Sequence, residues 1–284
     1  MMFSILVPLY NKKDCLHNYF NTILEQTYDN YEIIVVDDKS TDGSFEYVQS
    51  MNNKKIHLYQ NKNNRGLGFT RNELLKFANG DYFLFVDPDD YIELDLLDTL
   101  NKVLTKEELD VVRFQNIIEH EYKIGHFSTE QDSKLFCCRP TNIISGEQAL
   151  LMWFMGDDNI NTLPWTYCIK KDLFNNIKYP ETRVLEDFSI TPCLVAMANK
   201  VKAIDYVGYH YIKHIDSLSN PKLEDKKKYA KYKIAIFKKI VALCKKNIYN
   251  LQISGKSKRI FCNDVDNRYR IRLERVKKIL EEKD

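Results

Sequence analysis

"FSILVPLYNKKDCLHNYFNTILEQTYDNYEIIVVDD", residues 3–38, decides the fold. Its ends, "FSILV" (3–7) and "YEIIVV" (31–36), are short apolar runs rich in β-branched residues, as expected of strands covered on both faces. Between them Leu16, Tyr19, Phe20, Ile23 and Leu24 recur at helical spacing, with Asp14 placed to cap the helix. The alternation continues through "GSFEYVQSM" (43–51) as helix, "KIHLY" (55–59) as strand, "TRNELLKFAN" (70–79) as helix closed by Gly80, and "DYFLFV" (81–86) as strand. Strand–helix–strand repetition at this pitch predicts an α/β fold with a mostly parallel, helix-covered sheet. Such a sheet binds its ligands beyond the carboxyl ends of its strands.

Polar and mostly acidic residues gather at those ends. "PLYNK" follows the first strand, "DDKSTDGS" the second, and "VDPDD" (86–90) closes the fourth. Asp87, Asp89 and Asp90 fall within four positions. Two carboxylates roughly 6 Å apart repel by about 0.7 kcal/mol in water and by nearer 3 kcal/mol at an effective dielectric of about 20. Three adjacent carboxylates with no Lys, Arg or His nearby in sequence are what a hard divalent cation takes, leaving coordination sites for phosphate. Pro and Asp are also ordinary turn residues, so "DPDD" alone fits a solvated turn equally well. At Asp37 and Asp38 an acceptor is offered that suits the ring N–H of a uracil, while Ser40, Asp42 and Ser44 read as a helix-capping loop. "NNRGLGFTRN" (63–72) contains G-x-G but lacks the third glycine of a dinucleotide fingerprint and follows the third strand. Arg65 and Arg71 in it are candidates for phosphate or base-edge contacts.

The middle of the chain is mixed. "DVVRFQNIIEHEYKI" reads as strand, "SGEQALLMWFM" as a helix capped by Ser145, and "PWTYCIKKDLF" as a strand running into a short helix. "LEDFSITPCLVAMAN" is helical from about Asp187, and "KAIDYVGYHYIKH" is strand-like. From about residue 221 the character changes. Residues 221–284 carry 20 Lys+Arg against 8 Asp+Glu, a net of +12, whereas the first 220 carry a net of −10. In "KKKYAKYKIAIFKKIVALCKK" the spacing places Tyr229, Tyr232, Ile236, Ile240 and Leu243 on one helical face and lysines on the other.

Composition excludes several classes. Seven cysteines (Cys15, Cys137, Cys138, Cys168, Cys193, Cys244 and Cys262), an odd number without a C-x-x-C pair, argue against a disulfide framework or a zinc site. Reduced thiols point to a cytoplasmic location. The opening "FSILVPLY" has no basic region before it, so no signal peptide is expected, and no apolar run reaches the about 20 residues of a membrane span.

Taken in order, "SILVPLYNK", "EIIVVDDKSTDGS", "NNRGLGFTRN", "DYFLFVDPDD", "PWTYCIKKDLF", "LED" and "YHYIKHIDSLS" resemble the successive signatures of family 2 glycosyltransferases with a GT-A fold. The resemblance spans roughly 1–220, divided into a nucleotide-sugar-binding half (1–110) and an acceptor half (111–220), and leaves 221–284 as a basic helical extension. It implies an inverting, metal-dependent transfer from a nucleotide-sugar donor, UDP-linked, to a hydroxyl of a glycan or lipid-linked glycan in cell-surface polysaccharide synthesis. Pro8 and Tyr10 would border the nucleoside, Asp38 would accept from uracil, and Arg71 would contact the donor. Asp87 and Asp89 match the D-x-D motif, with Asp87 near the ribose and Asp89 on Mn²⁺ or Mg²⁺, and Asp90 would lie behind them. Glu186 and Asp187 match the E-D pair whose aspartate is the general base, and Trp165 and Glu186 would lie on the acceptor side. His214 stands where many relatives carry Arg and is a weaker metal or pyrophosphate contact.

The same implied roles make chemical sense. In a single displacement the acceptor hydroxyl must lose a proton while charge accumulates on the departing diphosphate. An aspartate at a helix N-terminus is also favoured by the helix dipole without any catalysis. Trp165 reads equally well as a core residue, and His210, flanked by two tyrosines, reads as structural. The competing functions are a nucleotidyltransferase, disfavoured because "PLYNKKD" has no glycine-rich phosphate loop, and an inactive nucleotide-sugar- or glycan-binding relative. Nucleic acid is disfavoured because the basic residues of the tail alternate with an apolar stripe and the body is acidic. The tail itself is open to three uses: a hairpin packed on the body, a homo-oligomer contact, or a peripheral contact with the inner face of the plasma membrane.

Overall fold

The computed structural model describes residues 1–123, 126–127, 134–136, 139–154, 162–213 and 223–281. The first half alternates as the sequence predicts: β1 Phe3–Leu9, α1 Leu16–Leu24, β2 Tyr31–Asp37, α2 Ser44–Ser50, β3 Ile56–Gln60, α3 Leu67–Phe77, β4 Tyr82–Phe85, then a short β5 Tyr91–Ile92 and α4 Leu96–Glu107. The second half adds β6 Val111–Lys123, β7 His126–Phe127, β8 Lys134–Phe136, α5 Gly146–Phe154, β9 Tyr167–Lys170, α6 Glu186–Met197, β10 Val201–Lys213, α7 Leu223–Asn250 and α8 Gly255–Glu281.

Every side chain of β1, β2 and β4 is buried, because helices cover both faces of the sheet. The strand order is β3-β2-β1-β4-β9-β6-β10-β5. β3, β2, β1 and β4 run parallel, with Phe3 opposite both Tyr31 and Tyr82. β9 then inserts antiparallel between β4 and β6, so β6 regains the direction of β4, and β10 follows it in parallel. One face packs Phe3, Ile5 and Val7 against Leu16, Phe20 and Leu100 of α1 and α4. The other packs Leu6, Phe83 and Phe85 into a core shared with Leu74 of α3 and Phe188 and Leu194 of α6.

Two helix starts test the expected caps. Ser145 caps α5 as expected: its Oγ accepts the Gln148 N–H at 3.2 Å, and Gln148 Oε1 accepts the Ser145 N–H at 2.9 Å. Asp14 does not cap α1. A single 3₁₀ turn, Lys13–Cys15, precedes that helix, which starts at Leu16 without a side-chain cap.

The basic extension is built into the body. Phe237, Ile240, Val241, Cys244 and Ile248 of α7, with Phe261 and Val265 of α8, join the core cluster that contains Phe188 and Leu194. The buried stripe of α7 is rotated from the expected one, Ile240 being common to both. Tyr232, Ile236 and Leu243 are only half-buried. Phe237 and Cys244 meet α6, and that contact sets the rotation.

Candidate functional site

The carboxyl ends of β1, β2 and β4 meet as predicted. The loops after β1 and β2 are laced together. The Asn11 N–H donates to Ser40 Oγ, the Lys12 N–H to Ser44 Oγ, and the Thr41 N–H to Asn11 Oδ1, each at 2.9 Å. Asn11 takes a left-handed backbone (φ 49°) to make this turn. Pro8 is buried within β1, opposite Val36, whereas Tyr10 stands 47% exposed at the lip.

Asp37 and Asp38 are both buried and hold neighbouring loops. Asp37 accepts from the Ser40 N–H and from Gln60 Nε2 at 2.9 Å. Asp38 accepts from Asn61 Nδ2 at 2.8 Å, the Arg65 N–H at 3.0 Å and the Gly66 N–H at 2.7 Å. Its carboxylate thus fixes the segment leading into α3, and a carboxylate with about four lone-pair directions retains room for one further donor. The glycines of "RGLG" serve this approach. Gly66 has φ +91°, and a Cβ on Gly68 would lie 1.9 Å from the Pro180 carbonyl oxygen. Close packing of α3 on the 180–182 segment explains them without a dinucleotide.

The turn after β4 is more neutralised than its sequence implies. Lys12 Nζ pairs with Asp89 Oδ2, and Arg71 Nη2 stands 3.8 Å from Asp87 Oδ1. Two cations from remote positions therefore face a triad that lacks any in sequence. Asp90 is a structural pin: its carboxylate accepts from Tyr209 Oη at 2.6 Å and from the Ile212 N–H at 2.8 Å. Tyr209 Oη in turn accepts the Asp87 N–H at 3.2 Å. Burial, then the charges of Asp89 and Asp87, hold the Asp90 carboxyl well above the usual carboxylate range. Asp87 is also raised, by burial first, with Arg71 pulling against it.

Beside the acid turn, joined to it through Arg71, stands the N-terminus of α6. Leu185 enters it in the left-handed region (φ 66°), an uncommon conformation for a branched residue. Glu186 and Asp187 then occupy the first turn, where the helix dipole favours negative charge. Glu186 is buried and accepts from Arg71 Nη1 at 2.5 Å; burial pushes its carboxyl up to about 7, against the pull of Arg71. Asp187 Oδ1 accepts the Phe188 N–H at 2.7 Å and lies near enough to act on the charges of both Arg71 and Asp87. Arg71 is thus the hub that joins the acid turn to the head of α6.

Two expected contacts are revised by burial. Arg71, assigned to the donor, is buried with its charge already met by Glu186 and Asp87, so what it does in this structure is order those acids. Trp165, assigned to the acceptor side, is 5% exposed and stacks on Tyr209 and Tyr211 with centroids 4.5 and 5.5 Å apart. It therefore backs the Tyr209 that holds Asp90. His210 is structural as read: Nδ1 lies 2.8 Å from Glu119 Oε1 and Nε2 2.7 Å from Glu93 Oε1, with Tyr91 stacked on the ring at 4.2 Å. His214 lies outside the described residues. Lys12 was missed. Two adjacent lysines in a polar loop carry no signal, and only the fold reveals that one of them reaches Asp89.

The acid turn fits a hard divalent cation. Its donors are carboxylate oxygens, and the mutual repulsion of Asp87, Asp89 and Asp90 is only partly relieved by Lys12 and Arg71. Among the described residues no group of three or more His, Cys, Asp or Glu side chains gathers to hold a metal. A cation of the Mg²⁺ type takes one or two carboxylates and completes its shell with phosphate and water. Asp87 and Asp89 are the residues that would hold it.

Comparison with known proteins gives a consistent picture. The family model described as "Glycosyl transferase family 2" matches residues 4–163. The chain is 28% identical over 251 residues to the glycosyltransferase GlyG of Streptococcus pneumoniae, covering 86% of this chain and 80% of that protein. It is 27% identical over 223 residues to the UDP-Glc:alpha-D-GlcNAc-diphosphoundecaprenol beta-1,3-glucosyltransferase WfaP of Escherichia coli, covering 78% and 81%. Among solved structures, residues 1–349 of S. aureus TarS in complex with UDP-GlcNAc share the fold, with a TM-score of 0.73 at 23% identity over 95% of this chain and 73% of that one.

Proposed function

The chain belongs to glycosyl transferase family 2 and is a glycosyltransferase; from that premise we propose that it moves a hexosyl or N-acetylhexosaminyl group from a UDP-linked donor to a hydroxyl of a glycan or lipid-linked glycan, with inversion, in cell-surface polysaccharide synthesis. One observation carries this reading. Arg71 ties Asp87, on the turn after β4, to Glu186, beside Asp187 at the head of α6, so the acids read as donor-side and those read as acceptor-side share one guanidinium.

In this reading Tyr10 and the backbone around Pro8 flank the nucleoside, and the remaining lone-pair direction of Asp38 takes the uracil N–H. Asp187 withdraws the proton from the attacking hydroxyl, oriented by the first turn of α6. Glu186 and Arg71 position it. Mn²⁺ or Mg²⁺ at Asp87 and Asp89 would supply positive charge to the departing diphosphate. Lys12, already at Asp89, adds a flexible ammonium to the same place.

The reading divides the chain into a donor half, 1–110, an acceptor half, 111–220, and the extension 221–284. No helix among the described residues is long and apolar enough to cross a membrane. Exposed Lys238, Lys239, Lys246, Lys256 and Arg259 accompany exposed Tyr249 and Ile260 on α7 and α8. That combination of cations and interfacial apolar groups suits peripheral contact with the anionic inner face of the plasma membrane, at about 1 kcal/mol per engaged basic residue.

A panel of UDP-, GDP-, CMP- and dTDP-sugars, with and without Mn²⁺, tests the whole. One UDP-sugar is expected to bind with metal. Asp89→Ala should lose that binding, and Asp187→Asn should keep it while turnover falls by about 10²–10⁴. Binding of no nucleotide sugar under any metal refutes the reading.

A further inference from the structure

The sheet face beneath α6 carries two buried arginines in matched surroundings, and among the described residues only one has an anion. Arg71 lies with its guanidinium 5.4 Å from the Phe85 ring centroid, and Arg113 of β6 lies 5.9 Å from that of Tyr167. Both are 2% exposed. The antiparallel register of β4 and β9 pairs Leu84 with Cys168, and one step further brings Phe85 beside Tyr167. Tyr167 is directly opposite Arg113. Phe85, Tyr167 and Arg113 therefore form one row across the sheet at the level where β4 ends, with Arg71 of α3 over the Phe85 end of it.

Arg71 is neutralised by Glu186 and Asp87, on the donor side of this row. For Arg113, in the half read as the acceptor side, Nε–H and both Nη1–H protons have no acceptor among the described residues, although those nitrogens are buried. Gln115, two residues further along β6, is turned to Asp205 at 2.6 Å and does not help. A guanidinium is always charged, and burying one without an acceptor is among the costlier arrangements a core can hold. Evolved cores satisfy such groups unless a ligand does so.

We propose that Arg113 is the anion subsite of the acceptor half, taking a phosphate of the acceptor on the far side of the cleft from the donor diphosphate. The inference rests on the transferase reading above and narrows it to acceptors that carry phosphate near the receiving hydroxyl. Guanidinium N–H groups match phosphate oxygens in charge and spacing, and the Tyr167 face under the cation keeps it in place. The phosphate could belong to a lipid-linked sugar or to a polyol-phosphate polymer; the chemistry at Arg113 is shared.

The experiment uses the full chain saturated with UDP, so that the donor diphosphate subsite is filled. Inorganic phosphate is then titrated at constant ionic strength, with thermal melting and calorimetry as readouts, on wild type, Arg113→Met and Arg113→Lys. Phosphate is expected to stabilise the wild type, with affinity at least tenfold weaker in Arg113→Met and partly kept in Arg113→Lys. UDP affinity should be unchanged. Without phosphate, Arg113→Met should melt no lower than wild type, because it removes an unmatched charge. A Met variant that melts several degrees lower and responds to phosphate as the wild type does would overturn the proposal, since Arg113 would then have an internal partner. If the wild type binds no nucleotide, the transferase reading fails separately, and the phosphate titration still reports on Arg113. Transfer assays with an alkyl sugar 1-phosphate and with a glycerol phosphate diester distinguish the two sources by which KM depends on Arg113; equal KM values for phosphorylated and neutral acceptors in wild type also refute it.

Discussion

Lys12 Nζ is paired with Asp89 Oδ2 across the carboxyl edge of the sheet, joining the loop after β1 to the turn after β4. Any divalent cation taken up at Asp89 meets this ammonium as a competitor. Lys12→Gln is therefore expected to bind Mn²⁺ about tenfold more tightly in the absence of nucleotide, a change of about 1.4 kcal/mol. The same variant should bind UDP more weakly without metal. Spin-resonance titration of free Mn²⁺ measures the first and calorimetry the second. Equal Mn²⁺ affinity in both proteins would show that Lys12 does not guard Asp89.

Arg71 and Glu186 form a buried pair at 2.5 Å. Removing one member leaves the other's charge unpaired, so Arg71→Met should cost about 3–5 kcal/mol of stability. The pH dependence has a definite sign. Burial pushes the Glu186 carboxyl up to about 7, above the ordinary glutamate value near 4.5, so the folded state holds more protons in that interval. Stability should fall as pH rises from about 4.5 to about 7, by roughly 3 kcal/mol. Glu186→Gln should flatten that part of the profile, as urea unfolding at pH 5 and pH 8 would reveal.

His210 adds a second contribution of the same sign. Burial lowers its pKa, but the Glu119 and Glu93 carboxylates outweigh burial and the net shift is upward. Its stabilisation is complete below the unfolded value near 6.5 and is lost as pH rises through the folded value. His210→Gln should therefore weaken the protein at pH 6 and make little difference at pH 9. Because Glu186→Gln and His210→Gln act on separate clusters, their effects on the melting profile should add.

The first ninety residues announced their fold because each strand is a short apolar run and each helix a periodic one, with little tertiary override. The acids at the strand ends were visible for the same reason: the topology fixed where those ends must lie. What stayed hidden was pairing. Nothing near "VDPDD" in sequence indicates Lys12 or Arg71, 77 and 16 positions away from Asp89 and Asp87 respectively. Trp165 was ambiguous because an aromatic residue before a strand looks alike whether it faces a ligand or stacks on Tyr209. The stripe of α7 was misplaced by part of a turn because tyrosines count as apolar in a pattern, while Phe237 and Cys244 are what α6 accepts.

The insertion of β9 between β4 and β6 bears on how the protein emerges from the ribosome. Until Tyr167–Lys170 is synthesised, β4 and β6 each present an edge that awaits the same missing strand. Edges of that kind template pairing with other chains. A nascent or truncated polypeptide ending near residue 160 would carry two of them, with the α6 acids still to come. It should self-associate where the full chain does not, as light scattering of the two would record. The middle of the sheet is thus closed only when β9 emerges, and β10 joins β6 later still.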